Sequence, residues 1–225
     1  MRCSALVSGG KDGWFAVWYA ISSGLSVEGI LTFTPEKKDS FMFHGINTEL
    51  VRRQAKLSGI PCSLVASSGN KEDDECTLVS EFIRLKHDGF EGVVTGAIES
   101  EYQREQIEIA CIESELVHFA PLWHRDNGLL LDEMMDSGLD AIIVSVAADG
   151  MGKEWLGKRL SECKESLLKL SAERMISPIG EGGEFETFVV DSPLFENGIL
   201  IKETDVVWSG SSGLLNIKEV GHART

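Results

Sequence analysis

Along the first half of the chain, apolar residues recur in two alternating periods. Residues 3–7 form a short apolar run that reads as a buried strand, and residues 12–22 carry apolar side chains at helical spacing. Between them lies Ser8-Gly9-Gly10, a glycine turn. The pattern then predicts a strand over 27–33, a helix over 47–57 stopped by Gly59 and Pro61, and a strand over 62–66. Residues 77–86 read as a helix and 92–95 as a short apolar strand. Residues 102–113 read as a helix with Ile107, Ala110, Cys111 and Ser114 along one face. Strands alternating with helices predict an α/β domain over residues 1–120, a parallel sheet flanked by helices on both faces.

After Pro121 the rhythm changes. A short helix over 130–135, a strand over 141–146 and a long helix over 157–174 are followed by sequence rich in β-formers. Phe188-Val189-Val190, Ile199-Leu200-Ile201 and Leu214-Leu215-Asn216-Ile217 are separated by Asn197-Gly198 and by a turn over 209–213, which predicts antiparallel strands. Residues 121–225 therefore read as a smaller α+β subdomain.

Composition leaves this picture intact: 225 residues, 43% hydrophobic and 25% charged, are those of a globular chain able to bury a core. Charge narrows it. Lysine and arginine number 21 against 36 aspartates and glutamates, a net charge of -15, so nonspecific nucleic-acid binding is not expected. The five cysteines are scattered, without a C-x-x-C pair, and read as reduced thiols. No apolar run approaches the roughly 18 residues that span a bilayer, so no membrane association and a cytoplasmic location are expected. His44, His87, His118, His124 and His222 lack metal-ligand spacing, and no structural metal is predicted.

Three blocks can carry chemistry. Ser8-Gly9-Gly10-Lys11-Asp12-Gly13 stands where the first strand enters the first helix, the place at which α/β sheets bind phosphates. Glycines let the backbone approach an anion, amides at the helix start point at it, and Lys11 adds positive charge. The hexapeptide matches neither a Walker P-loop nor a dinucleotide fingerprint, and the same letters also suit a plain glycine turn. The second block, Thr95 through Arg104, crosses from a strand end into a helix. There Gly96 can admit a base or ribose, and Tyr102, Gln103 and Arg104 offer stacking, hydrogen bonding and a phosphate fork. A helix cap with an Arg104–Glu108 surface pair is the plainer reading. The third block, Gly180-Glu181-Gly182-Gly183-Glu184-Phe185-Glu186-Thr187, sets three carboxylates among glycines before a strand. It suits a cation or an amine, or simply an acidic turn.

SGGKD after a first strand resembles the PP-loop of the N-type ATP pyrophosphatases, which hold ATP for cleavage between its α and β phosphates. Gly13 stands where that family's usual final serine would be. With TGAIESEYQR, Glu108, Cys111, Ala120-Pro121-Leu122-Trp123, DAIIVSVAADGMGKEWLGK and GEGGEFETFVVDSPLF, nearly the whole chain resembles the diphthine-ammonia ligase family. Gln106 departs from it, where many relatives carry a second arginine.

The resemblance implies a Rossmann-like, PP-loop type of fold and conversion of diphthine on translation elongation factor 2 to diphthamide. It implies ATP and Mg²⁺ as cofactors, ammonium as co-substrate, an acyl adenylate, and release of AMP and pyrophosphate. Ser8, Gly9, Gly10, Lys11, Asp12 and Gly13, with Gly96, Tyr102, Gln103 and Arg104, would then bind the nucleotide. Lys11, Asp12, Glu184 and Glu186 would be catalytic. Glu184 and Glu186 are the candidates for holding diphthine's quaternary ammonium, with Trp123 and Trp155 offering ring faces. Two other readings stay open. One is an ATP or AMP binding module without turnover, for which Gly13 speaks. The other is a PP-loop enzyme acting on a different substrate.

Overall fold

The structure, a computed structural model, describes residues 1–35 and 47–223. It divides into two compact units, the first made of the described residues of Met1–Ser8 and Asp12–His124, the second of Gly9–Lys11 and the described residues from Arg125 onward.

In the first unit, β1 (Arg2–Leu6), β2 (Ser26–Pro35), β3 (Cys62–Ser67), β4 (Gly92–Val94) and β5 (Val117–Phe119) form a parallel sheet in the order β3-β2-β1-β4-β5. The connecting helices are α1 (Lys11–Ser22), α2 (Val51–Ser58), α3 (Lys71–His87) and α4 (Glu101–Glu113). The strands at the centre are covered on both faces: Cys3, Ala5, Val93 and Val94 are almost wholly buried, which is why these strands read as unbroken apolar runs. Phe82 and Leu78 of α3 and Ala110 and Cys111 of α4 belong to one apolar cluster with Leu31, Phe33 and Val93. Burial pushes the Cys111 thiol up to about 12 and keeps it protonated. Trp14, fully buried on α1, satisfies its indole N–H on Gln54 Oε1 at 2.9 Å.

The helix expected over 77–86 starts earlier, at Lys71. Asn70 accepts the Glu72 amide as an N-cap, and Glu72, Asp73 and Asp74 suit the positive end of the helix dipole. The run is too polar to show an apolar stripe, which is why its helical character escapes periodicity. The strand β5 was not anticipated at all; it is three residues long.

In the second unit, α5 (Asn127–Asp136) and α6 (Leu160–Arg174) accompany a four-stranded sheet. Its strands are β6 (Asp140–Val146), β7 (Phe185–Asp191), β8 (Ile199–Ser209) and β9 (Ser212–His222), in the order β7-β6-β9-β8 with antiparallel pairing. The α6 helix begins three residues later than the expected 157, because Arg159 forms a β-bridge with Ile142 before the helix starts. The β8 and β9 strands run far beyond their expected apolar cores and form a ribbon closed by a two-residue turn between Ser209 and Ser212. No helix among the described residues is long and apolar enough to cross a membrane.

Candidate nucleotide site

Strand order in the parallel sheet reverses between β1 and β4: the chain runs outward from β1 to β3 on one side and from β4 to β5 on the other. Ligands of open α/β sheets bind beyond the carboxyl ends of the strands at such a reversal. The residues following β1 are Ser8 to Gly13, and those following β4 are Thr95 to Arg104. Topology thus brings the first two blocks together, and packing tightens the link. A Cβ added to Gly96 would lie 2.5 Å from the Asp12 carbonyl carbon and 2.7 Å from the Gly13 nitrogen. Gly96 is therefore a glycine because the Asp12–Gly13 peptide rests against it.

In the loop after β1, Ser8 is exposed and Gly9 takes a left-handed backbone, with φ of 99°. Helix α1 begins at Lys11, so its first amides are those of Lys11, Asp12 and Gly13, and such amides have no acceptor inside their own helix. Residues 9–11 belong to the second unit through β7. Val189 donates its amide to Gly9 O at 2.9 Å. The Lys11 amide donates to Thr187 Oγ1 at 3.1 Å. Lys11 Nζ lies 5.4 Å from the centre of the Phe185 ring. The third block therefore meets the first directly, through a threonine that the sequence contained but did not single out.

Glu184 and Glu186 take separate positions. Glu184 Oε1 accepts the Ser177 amide at 2.7 Å, and its carboxylate lies over Gly182. Its Oε2 is buried and, among the described residues, has no hydrogen-bond partner. Glu186 lies on β7 between Phe185 and Thr187, so strand alternation turns it to the face opposite them.

Around the second block, Ser100 caps α4 by accepting the Gln103 amide. Tyr102 donates its hydroxyl to Glu75 Oε1 at 3.0 Å and carries Lys71 Nζ over its ring; burial and then the Glu75 hydrogen bond push its pKa up to about 12. Arg104 pairs with Glu108 at 2.7 Å, as its i,i+4 spacing suggests, and stacks 4.6 Å from the centre of the Trp123 ring. His124 also stacks on Trp123, at 4.5 Å. The Trp123 ring thus already carries two partners. Trp155 is buried, with Lys158 Nζ 5.7 Å from its ring centre.

His118 on β5 is nearly buried. Its Nε2 shares a 2.8 Å hydrogen bond with the Thr95 hydroxyl, and its Nδ1 lies 3.9 Å from Glu108. Burial lowers its pKa below the ordinary histidine value, an effect the Glu108 carboxylate opposes and Arg104 reinforces. His87 and His222 are exposed, and His44 lies outside the described residues. Among the described residues no group of three or more histidine, cysteine, aspartate or glutamate side chains is arranged to hold a metal ion.

Two family models cover almost the entire chain: the diphthamide synthase N-terminal domain matches residues 1–117, and the diphthamide synthase C-terminal domain matches residues 123–222. The chain belongs to the diphthamide synthase family. Its relatives in that family include proteins named diphthine–ammonia ligase. The one from Danio rerio is 35% identical over 92% of this chain and 89% of its own length. The human one is 32% identical over 92% of this chain and 85% of its own. The one from Schizosaccharomyces pombe is 34% identical over 97% of this chain, which spans only 39% of that longer protein. Among solved structures, a chain described as a predicted subunit of tRNA methyltransferase from Methanocaldococcus jannaschii superposes with a TM-score of 0.45 at 16% identity. That likeness covers 86% of this chain and 98% of the other, and is too distant to bear on function.

Proposed function

We propose that this member of the diphthamide synthase family is an AMP-forming ligase that converts diphthine on translation elongation factor 2 to diphthamide, using ATP and ammonium, in the cytoplasm. A carboxylate is a poor acceptor of an amine, whereas an acyl adenylate has AMP as its leaving group, so activation precedes amidation. Ser8, Gly9, Gly10, Lys11, Asp12 and Gly13 hold the phosphates. The donor set fits an anion: a left-handed glycine, the first-turn amides of α1 that follow Lys11 and the Lys11 side chain belong to one loop. Gly96, Tyr102, Gln103 and Arg104 form the neighbouring wall. Lys11 stabilises the charge that develops as the α–β bond breaks.

Asp12, the loop's carboxylate, would hold a Mg²⁺ ion bound with ATP, and the ion would supply neutralisation of the phosphate charge. Glu184 and Glu186 serve the cationic and amine side of the reaction, where Glu184 Oε2 keeps hydrogen-bond capacity that Oε1 has already committed to Ser177. Residues 1–120 are assigned to ATP and residues 121–225 to the substrate.

The observation that carries this reading is the pairing of Gly9 and Lys11 with β7, which joins the phosphate loop to the strand that carries Glu186 and follows Glu184. Its test is an incubation with ATP, Mg²⁺, ammonium and diphthine-bearing elongation factor 2, following AMP release and the mass of the modified histidine, with each component omitted in turn. Both products appear together only in the complete mixture, and Lys11→Ala abolishes AMP formation. AMP release that is indifferent to ammonium and to the factor overturns the reading.

A second reading, nucleotide binding without turnover, is favoured by one observation. A Cβ at Gly13 would lie 3.3 Å from Val7 Cα and 3.4 Å from Leu6 O, so a serine there would require β1 or α1 to give way. Under that reading ATP binds and neither product forms.

A further inference from the structure

We propose that Thr187 is a positioning residue for the phosphate loop, accepting the Lys11 amide and so fixing the first turn of α1 in the orientation that receives a nucleoside triphosphate. This rests on the nucleotide-binding reading of residues 8–13. Side chains of a strand alternate between faces, so Phe185 and Thr187 stand on the same side of β7. Phe185 lies under Lys11 Nζ, Thr187 Oγ1 takes the Lys11 amide, and the Val189 amide takes Gly9 O. Alternate residues of one strand thus engage the loop in succession, and Lys11 meets that strand through both its backbone and its side chain.

Thr187 is the polar member of this series. Only 8% of it is exposed, in a strand whose neighbours Phe185, Phe188, Val189 and Val190 are buried apolar residues. Valine has the same shape and a higher affinity for such a place, so the hydroxyl is the part of this side chain that packing does not require. Its use is local and specific. An amide at the head of a helix lacks an intrahelical acceptor, and giving that of Lys11 to Thr187 fixes the direction of the turn. The amides that follow, and the Lys11 ammonium, are then aimed before ATP arrives, and the ordering cost is met in folding instead of in binding.

Thr187→Val removes the acceptor and keeps the volume; Thr187→Ser keeps the acceptor. The measurements are calorimetric ATP affinity, KM for ATP against kcat for AMP release, and the unfolding midpoint of each variant. Thr187→Val weakens ATP binding about tenfold and raises KM for ATP more than it lowers kcat, and Thr187→Ser returns both to within about twofold of the parent. Phe188→Leu, on the other face of the strand, lowers the unfolding midpoint without changing ATP affinity. Equal ATP affinity in Thr187→Val and the parent overturns the proposal, as does a failure of serine to rescue.

Exchange of the Lys11 amide with deuterium provides a readout that needs no ligand, and in the unsubstituted protein none of the variants need fold. Protection in the parent supports the proposal, and free exchange there overturns it. Should the parent bind no ATP, the nucleotide reading falls, and the exchange of this amide still decides whether Thr187 holds the loop.

Discussion

The five-stranded sheet is parallel and covered on both faces at its centre, whereas the four-stranded sheet is antiparallel and leaves much of the β8–β9 ribbon in water. In the first, a three-residue strand such as β4 is completely buried, and any added atom meets backbone or core. In the second, most of the eleven residues of β8 are exposed, Val207 and Trp208 among them. The difference is one of tolerance. Close backbone approach builds the proposed nucleotide site in the parallel sheet, while paired backbone hydrogen bonds hold the ribbon whatever its outward side chains are.

The sharpest way to break this comparison is Gly96→Ala. Its methyl group would enter the Asp12–Gly13 peptide, so ATP binding is expected to fall below detection and stability to drop by about 1–3 kcal/mol, read by calorimetry and by denaturant unfolding. Retained ATP binding would mean that this contact does not shape the site.

A matched pair in the second unit comes next. Gly180 and Gly183 have nearly equal positive φ values, 81° and 80°, but a Cβ at Gly180 would lie 2.7 Å from Phe185 O, while one at Gly183 meets nothing within 4 Å. Gly183→Ala should cost only the left-handed backbone penalty of about 1–2 kcal/mol, and Gly180→Ala about 1–3 kcal/mol beyond that. Equal unfolding midpoints would remove the steric argument.

His118 tests the covered sheet by pH. Its folded pKa lies below the ordinary value of 6.5, so on acidification the unfolded chain takes up this proton first. The stability contributed by the neutral ring is present in full above about pH 6.5 and is lost as pH falls from there toward the folded value. His118→Gln, with an amide to meet Thr95, should flatten that part of the stability curve, as followed by unfolding between pH 7.5 and 5. An unchanged acid slope would assign the loss to other groups. The smallest effect belongs to the ribbon: Val207→Thr should move stability by no more than about 0.5 kcal/mol, and a larger change in its denaturation curve would show that the exposed face has a partner.

The same contrast governs what could be read from the chain. Strands β1 and β6 were visible as apolar runs because both faces are buried, whereas β2 and β3 showed through their apolar stretches although Glu28, Ser63 and Ala66 are exposed. Within the ribbon only Ile199-Leu200-Ile201 and Leu214 to Ile217 stood out, since Glu203, Asp205 and Glu219 carry no apolar signal and their strand character comes from pairing. The start of α3 was hidden in a run of acids. At the site, the glycine turn after β1 and its position before α1 were legible from local pattern. The contact of Gly96 with the Asp12–Gly13 peptide was not, nor was that of Lys11 with Thr187, because each joins residues far apart in sequence through backbone atoms that leave no compositional trace. Arg104 with Glu108 was foreseen, being separated by one helical turn.

The distance along the chain between Lys11 and Thr187 is 176 residues, and this has a consequence for the protein's birth on the ribosome. At roughly 5–20 residues per second, the glycine loop leaves the exit tunnel about 10–35 seconds before the strand that holds it. During that interval the early strands can already associate, yet the glycine loop lacks its hydrogen-bond partners on β7. On the proposed reading, nucleotide competence is therefore among the last properties the nascent protein acquires, and a prematurely terminated product would carry SGGKDG without the strand that bonds to it.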